Sequence, residues 1–139
     1  MNKEFIPYEQ ALELKELEFD EPCLAYLIGF GDGTKENGRY KINQQQMFYP
    51  NDTSPDDKAE ELGLHPFVMC RVPLYQQAFR WFREKYELSS WVYNSHMDKY
   101  FYTILQDGRI VKATGSETTY EEAELACLKK LIEIVKEKQ

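Results

Sequence analysis

The chain has 139 residues, enough for one domain to bury a core without a metal or disulfide staple. With 42% hydrophobic residues, ten Tyr, eight Phe and two Trp, it is too apolar and aromatic for a disordered chain. A formal charge of −7 disfavours generic binding to nucleic acid or anionic membrane, because both draw affinity from excess Lys and Arg.

The elements follow in chain order. "PYEQALELKEL" (7–17) predicts a helix, with Pro7 at its first position and Tyr8, Ala11, Leu12 and Lys15 on one face. "CLAYLIGF" (23–30) predicts a strand, by its apolar run and Gly-rich exit. "GDGTKENG" reads as a loop, and "RYKI" as the returning strand; a further short strand is allowed at Met47–Tyr49. "SPDDKAEELG" is a short helix, capped by Ser54, favoured by Asp56 and Asp57 at its positive end, and stopped by Gly63. "HPFVMCRVP" reads as a link. The helix at 74–86, "LYQQAFRWFREKY", places Leu74, Tyr75, Ala78, Phe79, Trp81, Phe82 and Tyr86 on one arc. "SSWVYN", "YFYTILQ" and "RIVKA" read as three strands. Asp107-Gly108 gives a two-residue hairpin between the last two, which sets Ile104 opposite Val111 and Tyr102 opposite Ala113. A last helix starts at "TTYEEAE", where Thr118 with Glu121, or Thr119 with Glu122, has capping-box spacing, and runs to about residue 136.

This order predicts a single α+β domain over residues 1–139. A mainly antiparallel sheet is packed by about four helices, with the C-terminal half in α-β-β-β-α order. "YEQA", "YQQA" and "YEEA" each open a predicted helix, at Tyr8, Tyr75 and Tyr120. Their spacing has no fixed period, so the recurrence reads as helix-start chemistry: Glu favours the dipole and the Tyr ring drops onto the core.

Signatures of chemistry are sparse. "GFGDG" has three glycines after a strand, but no helix follows to hold a phosphate, so it reads as a turn. His65 and His96 are the only histidines, and no Cys lies within chelate spacing of another, so no metal and no cofactor are expected. "NDTSPDD" lacks the pattern of a calcium loop. Cys70 with His65 or His96 is the one thiolate pair to consider, whereas Cys127 falls on the last helix's apolar face as a buried thiol. The start has no apolar signal core and no run approaches a membrane span. With the odd cysteine count, this predicts a cytoplasmic protein with reduced thiols.

Charge is uneven. Residues 1–22 hold seven acids against Lys3 and Lys15, and residues 71–112 hold seven basic residues against four acids, so one surface is expected to be mildly basic. Residues 74–136 have the element order of a double-stranded RNA-binding domain, and "TTYEEAELACLKKLIEIV" is similar to that family's final helix. That family carries Lys at the start of this helix to grip phosphates; here Glu117, Glu121, Glu122 and Glu124 stand there and repel them.

The last helix carries two stripes. Tyr120, Ala123, Cys127, Leu131 and Ile134 form a core stripe. Leu125 and Ile132, beside Leu128 and Val135, form a second on roughly the opposite side. A helix sandwiched between the sheet and N-terminal segments explains the second stripe, and so does a protein contact, most simply a twofold homodimer. Trp81, Arg80 and Arg83 form another candidate contact patch, with core packing the favoured role for Trp81.

"FDEPCLAY" (19–26), "PLYQQAFRWFREKY" (73–86) and "TYEEAELACLKKLIEIVK" (119–136) resemble a group of small uncharacterised proteins encoded by phages and prophages of gut bacteria. The resemblance implies an accessory, intracellular role and carries no catalytic residues. The sequence therefore favours a non-enzymatic protein-interaction module that self-associates or binds another protein. A small-ligand protein or enzyme with an aromatic pocket is the alternative. Its nucleotide-type ligand would be met by Arg71, Arg80, Arg83, Arg109 or Lys112. A domain of the double-stranded RNA-binding kind comes third.

Overall fold

The computed structural model describes residues 4–42, 44–50, 53–94 and 98–138, and they form an α+β protein. Contacts divide the chain into two compact units, Pro7–Pro73 and Leu74–Gln139 with Met1–Ile6. Residues 7–73 carry the whole net charge of −7, because basic and acidic side chains are equal in number in the other unit.

In the unit Pro7–Pro73, helix α1 (Tyr8–Glu16) precedes strand β1 (Ala25–Gly31), the small hairpin β2 (Lys35–Glu36) and β3 (Arg39–Tyr40), strand β4 (Gln44–Pro50), helix α2 (Asp56–Leu62) and strand β5 (His65–Val72). Strand β1 is the centre of an antiparallel sheet ordered β4-β1-β5. Its side chains are buried almost throughout, which is why it reads as an unbroken apolar run.

Several expectations change here. "RYKI" does not return against β1. Asn37 and Gly38 have φ of 55° and 79°, so they turn the chain back at once and pair Lys35–Glu36 with Arg39–Tyr40. The partner of β1 is β4, which extends the expected Met47–Tyr49 strand at both ends. "HPFVMCRVP" is a strand, not a link. Pro66 reads as a breaker, but β5 lies at the sheet edge, where a missing N–H is tolerated. The register shift between Leu27 and Ile28 leaves Met69 extra in β5, and the Lys15 ammonium of α1 donates to the Met69 carbonyl. Helix α1 buries Gln10, Ala11 and Leu14, followed by Leu17, whereas Tyr8 and Lys15 stay exposed; its core face is rotated from the one expected. Helix α2 ends as expected, with Gly63 at φ 68° and its amide, with that of Leu64, returning to carbonyls of the last turn.

The other unit runs α3 (Tyr75–Tyr86), β6 (Leu88–Asn94), β7 (Tyr100–Gln106), β8 (Arg109–Glu117) and α4 (Tyr120–Glu137). The strands form an antiparallel meander, β6-β7-β8. Asp107 and Gly108 make the expected two-residue turn, with φ of 53° and 79°. The register beyond it differs from a plain hairpin. Leu105 pairs with Ile110, but Ile104 pairs with Lys112 and Tyr102 with Thr114, because Val111 is an extra residue in β8. Thr119 caps α4, its hydroxyl accepting from the Glu122 amide at 3.1 Å, and the Thr118 hydroxyl donates to the Glu122 carboxylate at 3.2 Å.

Helix α4 packs against all three strands and against α3. Leu88, Tyr102 and Ile104 point to that side of the sheet and are buried. With neighbours on two sides, α4 needs an apolar arc wider than one stripe. Leu128, Ile132 and Val135 are accordingly buried within the chain, together with Ala123, Cys127, Leu131 and Ile134. The second stripe is core, and only Leu125 among its members is half-buried.

Candidate functional site

The side of the β6–β7–β8 sheet turned away from α4 is unusual. Directly paired residues of an antiparallel sheet share a face. Trp91 opposite Thr103, Tyr93 opposite Phe101, and Ser89 opposite Leu105 therefore define this outer face. Ile110, paired with Leu105, continues it on β8, where the backbone of Ala113 pairs with Thr103 and that of Gly115 with Phe101. None of these positions carries a charge. A solvent-facing sheet surface normally alternates polar residues outward, yet Trp91 is 47% exposed, Tyr93 42% and Ile110 66%, with Val111 beside them. The Tyr93 and Phe101 rings stack at 5.7 Å. Thr103, in the middle strand, is buried all the same.

A second feature of the same unit is a cleft of about 510 Å³ where the N-termini of α3 and α4 meet the segment at Glu4. It is lined by Glu4, Leu74, Tyr75, Gln76, Tyr120, Glu121 and Glu124. Leu74 is bridged to Phe5, which brings Glu4 to the cleft. Tyr75 and Tyr120 are the first residues of α3 and α4, so two of the three recurring tetrapeptides converge here. The expectation that each ring drops onto the core holds for Tyr75, which is buried, and not for Tyr8 or Tyr120, which are exposed. The Tyr120 ring stands edge-on to Tyr100 at 6.0 Å. Glu124 is buried, and burial followed by the charge of Glu121 pushes its carboxyl up to about 7.

The candidates from sequence fare unevenly. Leu128, Ile132 and Val135 are interior and present nothing to a partner. Trp81 is also interior, edge-on to Phe82 and Tyr86 with the Lys85 ammonium 5.1 Å from its ring. Arg80 and Arg83 are exposed on α3, with Arg80 Nε 4.0 Å from Glu84 Oε1. Arg109 and Lys112 lie on β8, and Arg71 belongs to β5 of the other unit. None of these basic residues lines the cleft, whose carboxylates are opposite in sign to what a nucleotide phosphate requires.

Cys70 and Cys127 are poor nucleophiles. Burial pushes Cys70 up to about 11, against a smaller pull from Lys15, and Cys127 up to about 12. The Ser90 hydroxyl opposes the Cys127 shift weakly, although its oxygen makes no hydrogen bond of normal geometry. His65 and Cys70 sit at positions about 15 Å apart along β5, too far for a dyad. His96 lies outside the described residues. The "GFGDG" run is the end of β1 and a turn. The Asp32 carboxylate accepts from the Thr34 amide at 2.9 Å and its hydroxyl at 2.6 Å, and a Cβ on Gly29 would lie 2.9 Å from Ile42. Among the described residues no group of three His, Cys, Asp or Glu could hold a metal ion, and no helix is long and apolar enough to cross a membrane.

What the geometry defines is thus an α+β chain with an uncharged aromatic sheet face and a small acidic cleft. No family model, no curated protein and no solved structure matches the chain.

Proposed function

We propose that the chain is a non-enzymatic protein-interaction module of the phage or prophage accessory type, and that its first partner is a second copy of itself. The contact is the outer face of the β6–β7–β8 sheet, in place of the α4 stripe. One observation carries the reading: Trp91, Tyr93 and Ile110 are exposed on a face whose positions hold no charge. Depletion of charge with enrichment of Trp, Tyr and Phe is the composition of an interface centre. The charge balance of this unit supports self-association. Two copies meeting through it bring no net like charge together, whereas residues 7–73 would repel their counterpart.

Light scattering across a range of concentrations tests this reading. Wild type is expected to pass from monomer to dimer mass, and a Trp91→Glu, Tyr93→Glu double variant to stay monomeric with an unchanged circular dichroism spectrum. A monomer mass for wild type at every concentration would refute the dimer.

A nucleotide-type ligand gains no support from the acidic cleft, and duplex RNA gains none from an α4 start that carries Glu121, Glu122 and Glu124.

A further inference from the structure

We propose that the cleft at the N-termini of α3 and α4 binds a small organic cation, an ammonium or guanidinium group on a short alkyl stem, with Glu124 as its counter-charge and Tyr75 and Tyr120 as its aromatic walls. The inference does not depend on the dimer.

Three features converge. The first is Glu124 itself. Acids in a first helical turn, such as Glu121 and Glu122, complement the dipole and need no ligand. Glu124 lies one turn further in, is only 9% exposed, and lines the cleft. Its carboxylate makes no hydrogen bond or ion pair with any described residue. The carboxylate oxygens are not sealed in the interior and open onto the cleft, where they are poorly hydrated, and a bound cation there would offset that loss of hydration. The second is sign. Among the described residues, the other charged groups lining the cleft are Glu121 on the same helix and Glu4 on the N-terminal segment. From α3 come only the neutral Tyr75 and Gln76, and Cys127, one turn on, is a neutral thiol. The third is shape and surface. About 510 Å³ suits a small molecule, and the two Tyr rings with Leu74 offer an apolar and π-rich wall to a stem and a charged head.

The same arrangement predicts a pH dependence. Without ligand, Glu124 keeps its proton up to about 7. A cation favours the ionised form, so binding releases a proton below that value and tightens as pH rises through it.

Isothermal titration of the full chain with agmatine, putrescine and Nα-acetyl-argininamide tests the proposal at low ionic strength. Pentanol serves as the uncharged control. Wild type is expected to bind at least one of the cations and not pentanol, more tightly at about pH 8 than at about pH 6. The isosteric Glu124→Gln is expected to weaken binding about tenfold or more and to flatten the pH profile. Tyr120→Ala is expected to weaken it by about two- to fivefold. Binding of the free amines alone identifies a small metabolite, and equal binding of the capped arginine identifies a side chain of a larger partner; either supports the cation site. No heat with any cation, equal binding of pentanol, or wild-type affinity in Glu124→Gln would overturn it. Unaltered melting of Glu124→Gln at about pH 4, below both values for Glu124, confirms that the variant folds.

Discussion

Tyr93 and Phe101 are directly opposed across β6 and β7, and their rings stack at 5.7 Å with planes 20° apart on the outer face of the sheet. Two residues along, on the same face, Trp91 stands opposite Thr103. An aromatic row of this kind stabilises the strand pair by about 0.2–1 kcal/mol for each pair. Its exposure gives it a second use as a contact surface. Because the face is not core, Trp91→Glu is expected to change the stability of the isolated chain by no more than about 1 kcal/mol. Urea unfolding at a concentration below association checks this.

The α4 stripe should behave in the opposite way. Leu128 is fully buried, so Leu128→Ala removes packed methyl groups and leaves a cavity. The expected cost is about 2–5 kcal/mol, read as a lower urea midpoint, with no specific effect on dimer mass in the protein that remains folded. A variant that dissociates the dimer without losing stability would place Leu128 on the surface after all.

The start of α4 offers a smaller and cleaner test. The Thr119 hydroxyl accepts from the Glu122 amide at 3.1 Å. Thr119→Ala is expected to cost about 1 kcal/mol, and Thr119→Ser to restore most of it. Thermal melts of the three proteins in one buffer are sufficient.

Glu124 makes stability depend on pH. Its carboxyl is raised from 4.5 to about 7 by burial and then by Glu121. Between those values the unfolded chain has released this proton and the native chain still holds it. The contribution is complete below the lower value and is lost as pH rises through the higher one. Glu124→Gln cannot ionise. It should remove this part of the decline and be more stable than wild type at about pH 8, by on the order of 1–2 kcal/mol. That is less than the full shift implies, since the cleft admits water. Melting curves at several pH values report the difference; parallel curves for the two proteins would contradict it.

The fold class was legible in the sequence because α3, α4 and the Asp107-Gly108 hairpin each carry strong local signals. Periodicity marks the helices, and a φ-positive dipeptide marks the turn. What was not legible is tertiary. Strand β5 contains Pro66 and has mixed burial, and only its place at a sheet edge makes it a strand. The Asn37-Gly38 turn dipeptide is present in the sequence, but the glycines around it make the segment look like a plain loop. The bulge at Val111 follows from neither propensity nor pattern, and it alone overturns the Ile104–Val111 pairing. Two apolar stripes on α4 are legible in the sequence, but a helix with two neighbours looks the same there as a helix with one neighbour and a partner. The outer sheet face was hidden for a related reason. Trp91 and Tyr93 were legible as strand residues, while the face they occupy depends on where the helices lie. The cleft needed the starts of α3 and α4 to be brought together, and the shared Tyr-[Glu/Gln] pattern was the one trace of it in the chain.

Trp91 is expected to leave water when two copies meet. Trp81→Phe leaves Trp91 as the sole tryptophan, and its fluorescence can be followed across a dilution series together with the mass of the same samples. A blue-shifted, quencher-protected emission is expected at high concentration, moving red as the mass falls to that of the monomer. Emission of a solvent-exposed indole at every concentration, in samples whose mass is that of a dimer, would contradict it.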